Sequence, residues 1–162
     1  MEDRYLCKAR PLGTRKQWVT GFYAVLGEKT VIIVCEPEKF YDVDSGKNSH
    51  GNKIVEVIPE TVCQCTGLKD KNGKLIWEND ILMCHGNPKE LAKVVFGKFA
   101  VIDAETFESI DEVIGWHYEV IPTDNLSKCE PFCLSMPLTE EYVKACEFEV
   151  VGSVFDNPGL FK

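Results

Sequence analysis

The sequence predicts a mostly β protein, and three observations carry that expectation. The apolar runs are strand-sized, as in Val31-Ile32-Ile33-Val34-Cys35. Turn signals recur about every 8–12 residues, the spacing of a small barrel or sandwich. Asn72-Gly73 stands between apolar runs, and both residues suit a type I′ hairpin turn, which needs positive φ at its two central positions.

The elements follow in chain order. Residues 4–10 predict a first strand, ended by Pro11 and Gly13. Residues 17–26 are rich in aromatic and branched side chains and predict a strand. Gly27-Glu28-Lys29 turns it into residues 30–35, a strand of the buried type. Residues 36–52 are polar and turn-rich, and predict an exposed loop. Residues 53–58 alternate and stop at Pro59. Asn79-Asp80 predicts a second tight turn, in which the Asp80 carboxylate bonds nearby backbone amides, before a strand over 81–84. Residues 92–96 and 99–102 flank Gly97-Lys98, which predicts another hairpin. Residues 103–116 mix acids with Phe107, Ile110, Val113 and Ile114 and favour neither state. Residues 117–121 predict a strand stopped by Pro122, and 123–138 a loop. Thr139 caps a short helix through Cys146, with Glu140 and Glu141 favourable in its first turn. Residues 146–155 predict the final strand. Trp18, Trp77 and Trp116, with Phe22, Tyr23, Phe96, Phe99 and Phe148, are expected in the core, a minority of them lining a subunit interface.

The chain has 162 residues, 44% of them hydrophobic, enough for one ordinary domain or two small ones. No run approaches the roughly 18 apolar residues of a membrane helix, and the first residues show no secretory pattern. A cytoplasmic protein is expected. The net charge of -8 is uneven. Residues 1–102 carry 15 Lys+Arg against 13 Asp+Glu, a sum of +2, and residues 103–162 carry 3 against 13, a sum of -10. An acidic final third disfavours phosphate contacts on that surface. It suits a solvated face, a basic partner or the more basic part of a second copy. An acidic inhibitor of a host DNA-binding protein is a further alternative.

The longest motif is Thr61-Val62-Cys63-Gln64-Cys65-Thr66-Gly67-Leu68-Lys69-Asp70-Lys71-Asn72-Gly73-Lys74, with Ile76, Glu78 and Asp80-Ile81 behind it. It resembles the signature of the YopX family of phage and prophage proteins. The resemblance continues in residues 149–158, which end in Asn157-Pro158, and in Ala9-Arg10-Pro11 with Trp18-Val19-Thr20-Gly21. Thr61, Gln64, Thr66, Gly67, Asp70, Asn72, Gly73, Glu78, Asp80, Asn157 and Pro158 are its signature positions, with a structural role expected. Cys63, Cys65, Asn79 and Ser153 depart from the pattern; Asn79 stands where the family commonly has glycine, whose left-handed conformation asparagine tolerates. The resemblance implies an N-terminal β region (1–60) packed with an SH3-like small β-barrel (61–162), a mobile-element origin and a homo-oligomer; one or two short helices complete the expected fold. It places no activity on any residue.

Chemistry is sparse. The eight cysteines are expected as free thiols in a reducing compartment. Cys63-x-Cys65, Cys84-His85 and Cys129-x3-Cys133 offer ligand types, but none has the paired CxxC spacing of structural zinc. No metal, cofactor or catalytic residue is assigned. His50, His85 and His117 lack a neighbouring nucleophile motif, and no phosphate loop or dinucleotide fingerprint is present. Two basic groups are candidate nucleic-acid contacts: Arg10, Arg15 and Lys16 beside Trp18, and Lys69, Lys71 and Lys74 on the Asn72-Gly73 hairpin. Hairpin lysines also keep a tip soluble and guard edges. The expected function is therefore non-enzymatic: a self-assembling interaction module with a host or phage protein partner, or, as the alternative, a nucleic-acid-binding small barrel.

Overall fold

The computed structural model describes residues 3–13, 17–34, 39–42, 47–50, 53–103, 105–106 and 108–161, with the backbone alone over 39–42, 47–50 and at 161. Arg15, Lys16 and Phe107 lie outside the described residues. The chain divides into two compact units, Met1–Cys65 and Thr66–Lys162. Both are built on antiparallel strands, as the turn spacing predicts.

In the first unit, β1 (Cys7–Ala9), β2 (Val19–Leu26), β3 (Lys29–Val34) and β6 (Lys53–Glu56) form a sheet in the order β6-β3-β2-β1, and the start of β7 (Cys63–Lys69) adds to β1 through Cys7↔Gln64 and Lys8↔Cys63. The β2–β3 hairpin turns at Gly27 and Glu28, with Gly27 at φ 64°. Ala9, Ile32 and Val57 form the core, and Cys7, Val19, Val55 and Val62 pack on it. The loop expected over 36–52 is corrected in part. It contains a two-stranded hairpin, β4 (Lys39–Asp42) and β5 (Lys47–His50), in which Phe40 opposes Ser49 and Tyr41 opposes Asn48. The aromatic pair Phe40-Tyr41 supplies the strand propensity that the surrounding polar residues obscure.

In the second unit, β8 (Leu75–Trp77) pairs with the later part of β7. A five-stranded sheet follows, in the order β12-β11-β10-β9-β13. Its strands are β9 (Asp80–Met83), β10 (Leu91–Ile102), β11 (Ser109–Ile121), β12 (Met136–Pro137) and β13 (Glu149–Ser153). The SH3-like closure implied by the resemblance is corrected here, because β12 and β13 leave two edges and the sheet is not closed. A physical reason lies in β12: it is two residues long, and Pro137 has no N–H with which to extend a ladder. The hairpin expected at Gly97-Lys98 is also corrected. β10 runs straight through, with Gly97 opposite Gly115 and Lys98 opposite Ile114. The turn falls instead between Ile102 and Ser109.

The core of this unit is Ile76, Leu82, Val94, Leu138, Val143, Phe148 and Val150. Phe148 meets the Tyr118 ring edge-on at 5.1 Å, and its burial contributes about 1.5–3 kcal/mol. Helix α1 (Glu140–Ala145) starts as the sequence predicts: Thr139 Oγ1 accepts from the Tyr142 N–H at 3.2 Å, and Val143 points its side chain into the core. Of the aromatics expected inside, Trp77 and Phe148 are buried, while Tyr23 and Phe96 are about half exposed. Among the described residues no helix is long and apolar enough to cross a membrane.

Candidate functional site

Several of the signature side chains make hydrogen bonds to backbone groups. Thr61 Oγ1 accepts from the Arg10 N–H at 2.9 Å and donates to the Ile58 carbonyl at 2.7 Å. Gln64 is exposed and reaches the Arg4 carbonyl at 3.5 Å. Thr66 Oγ1 donates to the Ile76 carbonyl at 2.8 Å, tying β7 to β8. Gly67 takes φ 82°, a left-handed step inside β7 that glycine makes without strain. Asp70 is 5% exposed and accepts three backbone N–H groups: Asn72 and Lys74, both at 2.9 Å, and Val150 at 3.0 Å. The type I′ turn is corrected, since only Gly73 (φ 81°) is left-handed. Asp70 N–H donates to Lys74 O at 2.8 Å and Gly73 N–H to Asp70 O at 2.9 Å. That closes a three-residue loop, Lys71–Gly73, with its left-handed glycine last, a common alternative to the two-residue turn.

Asn79 adopts φ 63°, as the expected second turn requires, and Asp80 Oδ2 accepts the Trp77 N–H at 2.9 Å. Glu78 is half-buried beside them. In the closing segment, Asn157 Oδ1 accepts the Ser153 N–H at 3.3 Å, and a Cβ on Gly152 would lie 2.1 Å from that oxygen. Pro158 opens the last 3-10 turn.

The expected basic-aromatic cluster is partly a packing device. Lys8 Nζ and the Arg10 guanidinium lie 5.0 Å and 4.9 Å from the Trp18 ring centroid. Lys69 and Lys74 are exposed on the second unit, whereas Lys71 is held by Glu149 at 2.8 Å, which raises its pKa. Cys63 and Cys65 share one face of β7, as a chelating pair would, but both are fully buried, and the Cys63 thiol donates to the Thr61 carbonyl at 3.4 Å. His117 is 1% exposed, its Nδ1 3.2 Å from the Gly115 carbonyl, with Phe99 stacked on its ring at 4.8 Å.

Two features escape sequence reasoning. The first is the far half of the β10–β11 hairpin. β12 pairs with β11 only at His117 and Tyr118, and β9 pairs with β10 only from Leu91 to Lys93. Beyond these points the two strands run on as a ribbon, and among the described residues no strand pairs with the outer edge of β11 from Ser109 to Gly115. Phe96 is 50%, Ile110 66% and Ile114 67% exposed. Trp116 packs edge-on against Phe96 at 5.0 Å, and Lys98 pairs with Glu112 at 2.8 Å. The acids of 108–112 hide this strand in the sequence, although Ile110, Ile114 and Trp116 fall at even spacing.

The second is a cavity of about 660 Å³ in the second unit, lined mainly by apolar side chains such as Leu134, Met136 and Phe148, with Cys84, Glu90 and Cys146 in its wall. Burial, and then the neighbouring Cys146 and Glu90, push the Cys84 thiol up to about 12. Burial, with Cys146 next, also raises the Tyr118 hydroxyl above its ordinary value. Cys84-His85 and Glu90 are close in sequence and visible there as a group; Cys146 reaches them only through the fold.

The family model described as YopX protein matches residues 33–162. No curated protein matches the chain.

Proposed function

The chain belongs to the YopX family, and from that footing we propose a prophage-encoded, cytoplasmic, non-enzymatic interaction module that self-associates through the β10–β11 ribbon. The observation that carries this reading is the exposure of Phe96, Ile110 and Ile114 beside a strand edge that, among the described residues, no strand pairs with. A bare edge templates pairing with another chain, and proteins keep it covered, blunted or paired. A second copy related by a two-fold axis covers it economically. The outer edge of β11 pairs antiparallel with its own equivalent in the other copy. Burying three large apolar side chains per chain supplies the driving force, about 1.5–3 kcal/mol for each one fully covered.

The test is the solution mass of Ile110→Lys/Ile114→Lys by sedimentation equilibrium. Both residues are exposed, so the folded chain should change in stability by no more than about 0.5 kcal/mol per site. The expected result is a monomer at concentrations where the parent chain associates. A double variant that associates like its parent removes the ribbon from the interface. Nucleic-acid binding through Lys69 and Lys74 is the lesser reading, because Lys71 is already engaged by Glu149.

A further inference from the structure

The loop after β9 gathers donors of the kind that hold a transition metal. Cys84 Sγ lies 3.4 Å from His85 Nδ1, and one donor atom each of Cys84, His85 and Glu90 fall within 4.8 Å of one another. Tetrahedral zinc, at about 2.3 Å from sulfur and about 2.0 Å from nitrogen, sets two such donors roughly 3.5 Å apart. The Cys84–His85 spacing meets that without movement.

The supporting contacts also fit. A carbonyl only accepts, so His85 Nε2–H donates to the Ala145 carbonyl at 3.0 Å. In the neutral ring this leaves the Nδ1 lone pair facing the thiol, and metal-binding histidines are generally fixed by this kind of outer hydrogen bond. Glu90 Oε1 accepts from Asn87 Nδ2 at 2.7 Å. The loop itself is closed by Cys84 N–H to Glu90 O at 2.9 Å and Asn87 N–H to Cys84 O at 2.8 Å. His85 holds φ 48°, a left-handed conformation that costs a non-glycine residue energy and that the loop nonetheless imposes. Cys146, at the end of α1, comes beside this cluster: its carbonyl accepts the His85 N–H at 2.9 Å, and its side chain lines the same cavity wall as Cys84 and Glu90.

We propose that Cys84, His85 and Glu90, with Cys146 as fourth donor, form a zinc site in the wall of the apolar cavity. Sulfur and imidazole with one carboxylate select a borderline-soft ion over magnesium or calcium, which take oxygen donors. Coordination forms a metal–sulfur bond at Cys84 and releases the thiol proton to water. This site is independent of the ribbon and stands or falls separately from it.

The test is titration of the reduced, metal-free full chain with Co²⁺ as probe, followed by Zn²⁺. One equivalent of Co²⁺ is expected to produce thiolate-to-cobalt charge transfer and the intense visible bands of tetrahedral cobalt, and zinc to displace it. Cys84→Ser should abolish the charge-transfer band, and Cys146→Ser should lower it. His85→Gln, at an exposed position that keeps the fold, should weaken zinc binding ~100-fold or more, since losing an outer-shell partner alone costs about 10–100-fold. Cys129→Ser, outside the site, should change neither. Absence of a charge-transfer band in the parent chain overturns the proposal, as does a band that persists in Cys84→Ser or zinc affinity unchanged in His85→Gln. An unchanged band in Cys146→Ser removes Cys146 from the ligand set.

Discussion

Replacing Asp70 with alanine is expected to destabilise the second unit by about 3–5 kcal/mol. The carboxylate is buried and accepts from Asn72, Lys74 and Val150. Hydrogen bonds to a charged group contribute about 1.5–3 kcal/mol each, and a donor stranded in the core costs about 1–3 kcal/mol. The Asn72 and Lys74 amides lie at an exposed tip, where water can replace the lost acceptor. The Val150 amide is buried beside the Phe148 core, where water cannot easily reach it. Asp70→Asn keeps one carbonyl acceptor and is expected to lose less, roughly half as much. Urea unfolding followed by Trp77 and Trp116 fluorescence reports the second unit. A midpoint within error of the parent chain for Asp70→Ala shows that the staple contributes nothing.

Gly21→Ala is expected to cost more than about 3 kcal/mol in the first unit, or to prevent that unit from folding. A Cβ at Gly21 would sit 2.1 Å from the Ile33 carbonyl oxygen and 2.9 Å from Ile32 Cγ2. The obstacle is backbone of the adjacent strand β3, paired with β2 at Gly21↔Val34 and Phe22↔Ile33, so no rotamer change relieves it. The core residue Ile32 would have to move as well. Gly115→Ala is the matched control, since its Cβ meets only Phe99 Cε1 at an ordinary 3.8 Å. It should shift stability by no more than about 1 kcal/mol. Thermal unfolding followed by Trp18 fluorescence for Gly21→Ala, and by Trp77 for Gly115→Ala, checks both. Equal, small losses in the two variants contradict the close approach of β2 and β3.

Much of the local structure was legible in the sequence because its causes are local. Gly27, Asn79 and Thr139 each announce a turn or cap through their own side chain or its absence. The strands over 19–26, 29–34 and 149–153 follow from runs of branched and aromatic residues. What escaped depends on pairing across long separations. Gly97-Lys98 looks like a turn, yet Gly97 continues a strand because Gly115 faces it across β11. The turn spacing allowed a small barrel or a sandwich and the family resemblance implied the barrel, yet the short, proline-bearing β12 leaves the sheet open. Asp70 stood out as a signature position of the resemblance but not as the acceptor for Val150, 80 residues away. The exposed apolar ribbon was hidden by the acids among its residues, and the Cys84 cluster by the distance to Cys146.

The most direct measurement is the solution mass of the parent chain by light scattering after size exclusion, at low and high salt. Pairing through an apolar ribbon predicts a multimer of the 18.3 kDa chain, in the two-fold case twice that mass, at both salt concentrations. A contact between the +2 and -10 portions of the sequence would instead weaken as salt screens it. An 18.3 kDa monomer under both conditions contradicts self-association and leaves the β11 edge free for a foreign protein.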